Sequence, residues 1–285
     1  MKNHVARDIS YASSARGSTG RFFIKSIENM TGRIGLIKRA KDYDKEVLTG
    51  RNFWAVIVER YNLKINFING CLDNIPKKGP VIIVSNHPYG ILDGLIMGYV
   101  LSHARKEFKI IANRVFRKAK DLDEVILPIS FDENREGNIQ NLNTRNEAIK
   151  FLKRGGIVGI FPGGTVATSA KLFSKPLDPH WKRFTSKLIL KSEATVVPMF
   201  FSGANSRIFQ IASHLSQNLR MALLIREFGK RVDGKVDIAI GKGLDPAQLK
   251  KYSHDLDGMM EFLRKKSYAL SNDPDQTFEV GLYLG

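Results

Sequence analysis

Runs of β-branched and aliphatic residues alternate with amphipathic stretches along most of the chain. Val81-Ile82-Ile83-Val84 has no polar alternation and reads as a strand covered on both faces. Ser85 and Asn86 end it, Pro88 and Gly90 turn the chain, and Leu92 to Leu101 reads as a buried helix. Residues 63–67 alternate like a half-exposed strand. Further strands are predicted over 108–112, 125–131, 157–161, 196–201 and 236–240. Helices are predicted over 142–153, 181–191, most of 206–228, and 259–270. Such β–α alternation predicts an α/β fold, a mostly parallel mixed sheet flanked by helices.

Ahead of the sheet the period changes. Phe23, Ile27, Met30, Ile34 and Ile37 recur at steps of three and four, which places them on one helical face. Arg21, Lys25, Arg33, Lys38 and Arg39 supply a basic complement, and Gly32 and Gly35 are candidate breaks. A second amphipathic segment runs from Tyr43 to Tyr61. This N-terminal amphipathic helical pair suits packing on the main core, and equally suits a membrane surface, one face to each. The membrane contacts would be Phe22, Phe23, Lys25, Ile27 and Met30. The organisation is therefore a flexible tail over 1–20, amphipathic helices over 21–61, and one α/β domain over 62–285.

Composition narrows the class. Among 285 residues the single cysteine, Cys71, forbids an intrachain disulfide and a four-cysteine zinc site. A reducing, cytoplasmic setting fits. The first residues lack the apolar core of a secretory signal, and the best apolar window, Val81 to Ser102, contains Asn86, His87, Pro88 and Asp93. A formal charge of +17 attracts polyanions: nucleic acid, anionic lipid surfaces or an acidic carrier protein. Charge alone does not choose among them.

Two clusters carry candidate chemistry. His87 stands where the central strand hands over to a helix, with Asp93 close behind. In open α/β sheets that carboxyl-end crevice is where ligands bind. An imidazole there takes a proton from an alcohol, and a carboxylate holds its tautomer and stabilises the imidazolium. The second cluster is Phe161-Pro162-Gly163-Gly164-Thr165. Glycines after a buried strand bring backbone N–H groups close to an oxyanion, and the same residues also serve a plain tight turn. His103, His180, His214 and His254 have no partner pattern. Trp181 is a candidate wall of a substrate tunnel. There is no Gly-x-Ser-x-Gly elbow, which argues against a serine hydrolase.

Together these blocks resemble the glycerolipid acyltransferase superfamily (1-acylglycerol-3-phosphate acyltransferase-like), nearest its haemolysin-like and lyso-ornithine-lipid branch. Asn86-His87-Pro88 with Asp93 is similar to the family's His–Asp block. Phe161 to Thr165 is similar to its Phe-Pro-Glu-Gly-Thr-Arg block, and Val196-Val197-Pro198-Met199 to its later apolar-Pro block. The resemblance covers roughly residues 60 to 245. It implies transfer of a fatty acyl group from acyl-carrier protein or acyl-CoA to a lysolipid hydroxyl, with His87 as base and Asp93 as its partner. Asn86 and Phe161 to Thr165 would bind substrate, and no metal or cofactor is implied. It also implies a peripheral protein on the inner face of a cell membrane containing anionic lipid.

The chain departs from the family in three places. Five residues separate His87 from Asp93 where four are usual. Gly163 replaces the block's glutamate and Val166 its arginine. The segment Pro128 to Asp132 lacks the arginine of a further block, with Arg135 nearby. Without bidentate arginine a phosphomonoester loses its strongest hydrogen bonds. The expected acceptor is therefore a lyso-aminolipid, with lysophosphatidic acid as the alternative. An inactive lipid-binding protein and a nucleic-acid-binding protein are the readings from other classes. The second is disfavoured because no recognition helix or aromatic RNA-binding signature is present.

Overall fold

The computed structural model describes residues 10, 12, 17–113, 116–117, 120–130 and 134–284. Most of the tail expected over 1–20 lies outside them, as does the expected strand end at Phe131. In chain order the strands are β1 (Lys64–Asn69), β2 (Val81–Ser85), β3 (Phe108–Asn113), β4 (Ile126–Ile129) and β5 (Ile157–Ile160), then β6 (Thr168–Ser169), β7 (Pro176–Leu177), β8 (Thr195–Phe201) and β9 (Lys235–Ile240). Seven of them form one sheet in the order β1-β9-β8-β2-β5-β3-β4. Every pairing in it is parallel except β8 with β9, so the sheet is mixed, as expected. β6 and β7 make a small antiparallel pair that the sequence did not announce.

β2 owes its unbroken apolar run to its central place. Val81 and Ile83 point into one hydrophobic cluster while Ile82 and Val84 point into another on the opposite face. The first cluster is closed by α4 (Phe53–Arg60), α5 (Ile91–Ala104) and α10 (Gln217–Gly229); the second by α7 (Arg135–Lys153), α8 (Arg183–Ser192) and α12 (Leu256–Tyr268). A strand between two such layers has no wet face on which a polar residue would sit. β2 is thus the strand best placed to hold a turn rigidly at its end.

The N-terminal pair is more broken than its periodicity suggests. Helix α1 (Ser18–Glu28) starts inside the expected tail and is separated from α2 (Ile34–Arg39) by a π-type turn. Gly32 takes φ +119° there, whereas Gly35 stays helical inside α2. The second segment is likewise two helices, α3 (Tyr43–Leu48) and α4, divided at Gly50 with φ +90°. The facing also differs from expectation. Ile24 is fully buried and Ile27 packs half-buried against the first cluster, so Ile27 does not belong to an outward face. Phe22 at 75% and Met30 at 85% exposure do, together with Phe23 and Ile34. Among the described residues no helix is long and apolar enough to cross a membrane.

Helix α5 lies close enough to α4 that a Cβ on Gly98 would stand 2.2 Å from the ring of Trp54. Gly98→Ala is therefore expected to destabilise the fold by about 1–3 kcal/mol through overpacking, read as a lower urea midpoint at unchanged slope.

Candidate active site

β2 ends at Ser85, at the carboxyl edge of the sheet, and five residues make the turn into α5. Asn86 ties that turn to the neighbouring strand. Its Nδ2 donates to the carbonyl of Phe201 at 2.9 Å and its Oδ1 accepts the Phe201 amide at 2.7 Å. Buried and engaged at both ends, Asn86 holds backbone; the substrate contact expected of it is not where the structure puts it.

His87 Nδ1 lies 2.9 Å from Asp93 Oδ2. The same oxygen accepts the amides of Tyr89 at 2.7 Å and Gly90 at 2.9 Å. Gly90, at φ +82°, caps α5, and this positive φ lets a five-residue spacing still bring the two side chains together. Asp93 stands in the first turn of α5, where the helix dipole favours a negative charge. Burial nevertheless pushes its carboxyl above the ordinary value, against the pull of His87 and the two amides. With Nδ1 against a carboxylate, the proton of the neutral ring belongs on Nδ1 and Nε2 is the basic nitrogen. The imidazole is 19% exposed and stacks on Phe161 with centroids 4.3 Å apart. Such a group can accept a proton from a hydroxyl brought to its open edge.

A second carboxylate supports the turn from beneath. Asp178 is fully buried, accepts the His87 amide at 3.0 Å on Oδ1 and the Trp181 indole N–H at 2.8 Å on Oδ2. Its own amide donates to the Tyr268 hydroxyl at 2.8 Å, and its carbonyl accepts from Gly281 at 2.9 Å. Burial raises its pKa to about 6. The sequence showed only a turn at Asp178-Pro179-His180-Trp181, because the partner lies 91 residues away. Trp181 itself is buried in the second cluster with its N–H engaged, so it does not wall a tunnel.

The glycine block forms the other side. Ala167 donates to the His87 carbonyl at 2.8 Å, joining the two clusters directly. Pro162 and Gly163 are buried, and a Cβ on Gly163 would stand 3.4 Å from Asp178 Oδ2. Gly164 and Thr165 are half-buried, with Gly164 at φ +70°. Val166 is buried, and the guanidinium reaching this loop comes instead from Arg220 on α10. It donates to the Thr165 hydroxyl at 3.0 Å, the Val166 carbonyl at 2.7 Å and the Thr168 hydroxyl at 2.6 Å. The chain near its C-terminus crosses this loop: Leu282 donates to Thr168 O at 3.1 Å, and Arg264 holds the carbonyls of Phe278 and Glu279. Arg135 opens α7, exposed, and an open groove lined by Arg117, Gln140 and Glu147 lies beside β4, three strands from β2. Neither adjoins His87.

Residues 68–202 match the Acyltransferase family. The chain is 26% identical over 229 residues to a lyso-glycine lipid O-acyltransferase of Phocaeicola vulgatus, covering 78% of each chain. It is 25% identical over 223 residues to the protein of the same name from Bacteroides thetaiotaomicron, covering 73% of this chain and 79% of that one. The crystal structure of the 1-acyl-sn-glycerophosphate (LPA) acyltransferase PlsC from Thermotoga maritima is also similar, at TM-score 0.46 and 20% identity over 92% of this chain and 86% of that one.

Asp178→Asn removes a buried charge. The raised folded pKa means that the folded wild type binds a proton more tightly than the unfolded chain between the ordinary carboxylate value and about 6. Wild type should therefore gain stability relative to the variant as pH falls through that window, by up to roughly 1.4 kcal/mol per pH unit. Urea unfolding of both proteins at pH 7 and pH 4.5 checks the sign.

Proposed function

We propose that this chain, which matches the Acyltransferase family over residues 68–202 and resembles lyso-glycine lipid O-acyltransferases over most of its length, is a lysolipid acyltransferase of the glycerolipid acyltransferase superfamily, that its acceptor is a lyso-aminolipid, and that His87 and Asp93 do the chemistry. The observation that carries the last part is the 2.9 Å contact between His87 Nδ1 and an Asp93 oxygen that two backbone amides also hold. In this scheme Nε2 takes the proton of the acceptor hydroxyl as its oxygen attacks the thioester carbonyl. The tetrahedral intermediate then collapses, the carbon–sulfur bond breaks, and the imidazolium returns the proton to the departing thiolate. Asp93 fixes the tautomer and offsets the charge on the imidazolium. The thioester of acyl-carrier protein or acyl-CoA supplies the leaving group, so the scheme uses no cofactor.

Two observations support an amino-acid lipid over a phosphomonoester. The relatives at 78% and 79% of their length bear the name lyso-glycine lipid O-acyltransferase. The loop that faces His87 carries Val166, buried, where the family's phosphate-binding arginine is expected. The substrate contacts left to this loop are Phe161, stacked on His87, with Gly164 and Thr165. For location, the exposed Phe22, Phe23 and Met30 beside Arg21 and Lys25 support a peripheral site on the inner, anionic face of the cell membrane.

His87→Ala should lower acyl transfer by about 10²–10⁴ in kcat, and Asp93→Asn should follow it by favouring the wrong tautomer. Radiolabelled acyl transfer to lyso-glycine lipid and to lysophosphatidic acid, run side by side, reads both parts. Unchanged turnover in His87→Ala would remove the catalytic assignment. A clear preference for lysophosphatidic acid would remove the aminolipid.

A further inference from the structure

Helix α9 (Arg207–Leu215) leaves one of its faces without a partner. Phe209 and Ala212 point inward, while Ile208, Ile211 and Leu215 lie three and four residues apart on the outer side, with Leu215 73% exposed. The loop between β6 and β7 lies against this helix and adds Leu172 and Phe173, the latter 77% exposed. It is a built arrangement. Gln210 accepts the Ser169 amide at 3.0 Å, His214 Nε2 meets the Ser169 carbonyl at 2.9 Å, and Arg207 donates to Ser174 O at 2.9 Å. Large apolar side chains clustered on elements that are hydrogen-bonded to one another mark an interaction surface rather than an unfinished core.

The charge around the ridge selects the kind of partner. No acidic residue occurs between Gly163 and Leu177, nor between Ser202 and Arg226. Exposed Lys171, Lys175 and Arg207 surround the apolar residues. Lys175 pairs with Asp273 and the others meet no carboxylate within their own segments. An apolar ridge flanked by cations, whose two contributing segments carry no acidic residue of their own, suits the headgroup region of a bilayer carrying negative lipid. Helices α1 and α9 both pack on α10, so the ridge shares its support with the exposed N-terminal residues. It is also joined to the candidate site: Ser169 is two residues from Ala167, whose amide donates to the His87 carbonyl.

We propose that this ridge, formed by Ile208, Ile211 and Leu215 with Leu172 and Phe173, is a second membrane contact for an anionic bilayer. It holds the loop beside His87 at the lipid surface. The proposal rests on the reading of the protein as a peripheral lipid acyltransferase, and it adds a contact that the N-terminal helices do not provide. Two points of attachment fix the orientation of the site toward the bilayer, which one amphipathic helix alone does not.

The test is co-sedimentation with phosphatidylcholine vesicles, with and without phosphatidylglycerol, of the full chain and three variants. These are Ile208→Glu/Leu215→Glu, Phe173→Glu and, for the N-terminal contact, Phe22→Glu/Met30→Glu. Thermal melting confirms that each remains folded. The two ridge variants should each bind phosphatidylglycerol vesicles at least about tenfold more weakly than wild type. Leu215→Trp gives an independent readout, since its emission should shift to shorter wavelength only when such vesicles are present. Ridge variants that bind like wild type, while Phe22→Glu/Met30→Glu does not, would overturn the ridge and leave the N-terminal contact standing. Wild type that ignores both vesicle types would overturn both. Self-association lost in the ridge variants, with vesicle binding unchanged, would assign the ridge to a second copy of the chain and likewise overturn the proposal.

Discussion

One carboxylate oxygen organises the turn on which the proposed chemistry depends. Asp93 Oδ2 is met by an imidazole nitrogen and two consecutive backbone amides, all within 2.9 Å. Burying a carboxylate costs several kcal/mol unless such donors replace the lost water. Here they come from the residues that the carboxylate must hold in place. The amides of Tyr89 and Gly90 shape the turn, the turn aims His87, and the ring of His87 supplies the third contact on that oxygen. Removing any one of the three exposes the charge to an environment that does not solvate it. The apolar setting that raises the energy of the carboxylate is also what makes its grip on the ring strong.

That arrangement needs a rigid base, and the sheet supplies one. β2 lies between β5 and β8, with hydrophobic layers on both faces, so the end of the strand has little freedom. Asn86 then locks it laterally to Phe201, and Asp178 locks it from below through the His87 amide. The loop carrying Phe161 to Ala167 is held in turn by Arg220, whose donors reach two hydroxyls and a carbonyl of that loop. The polar side chains of Asn86, Asp178 and Arg220 are thus engaged in holding the turn and the loop. This is why a sequence motif overstates the number of residues available to a substrate: Asn86 and Pro162 belong to the motif yet lie inside the protein.

Much of this was legible in the residues because the physical cause was local. An unbroken Val81–Val84 run signals a strand covered on both sides, and His87 with Asp93 across a Gly-containing turn signals a pair within reach. What escaped was non-local or lacked a hydrophobic signal. The first two turns of α7 read as loop because Arg135 to Asn141 contains one apolar residue, Ile139; a capping bond from Gly137 to Asn134 starts the helix instead. The antiparallel pairing of β8 with β9 leaves no trace in either strand's own pattern. Asp178 looked like a turn residue, and its value appears only when a distant segment comes to rest beside it. The N-terminal periodicity was real, but it could not say that Ile27 would turn inward while Met30 turned out, since both positions satisfy the same spacing.

The crossing of the glycine loop by residues near the C-terminus also bears on how the molecule acquires its shape. Leu282 reaches back to Thr168 and Gly281 to Asp178, contacts whose partners are more than a hundred residues apart in the chain. Contacts of that separation carry a large loop-closure entropy and are rewarded late in assembly. The central sheet can form from βαβ neighbours, whereas the loop beside His87 takes its final form only when α12 and the segment beyond it have docked. Competence of the site is thus tied to the docking of Gly281 and Leu282, and a molecule in which they had not docked would have a finished core without a finished rim.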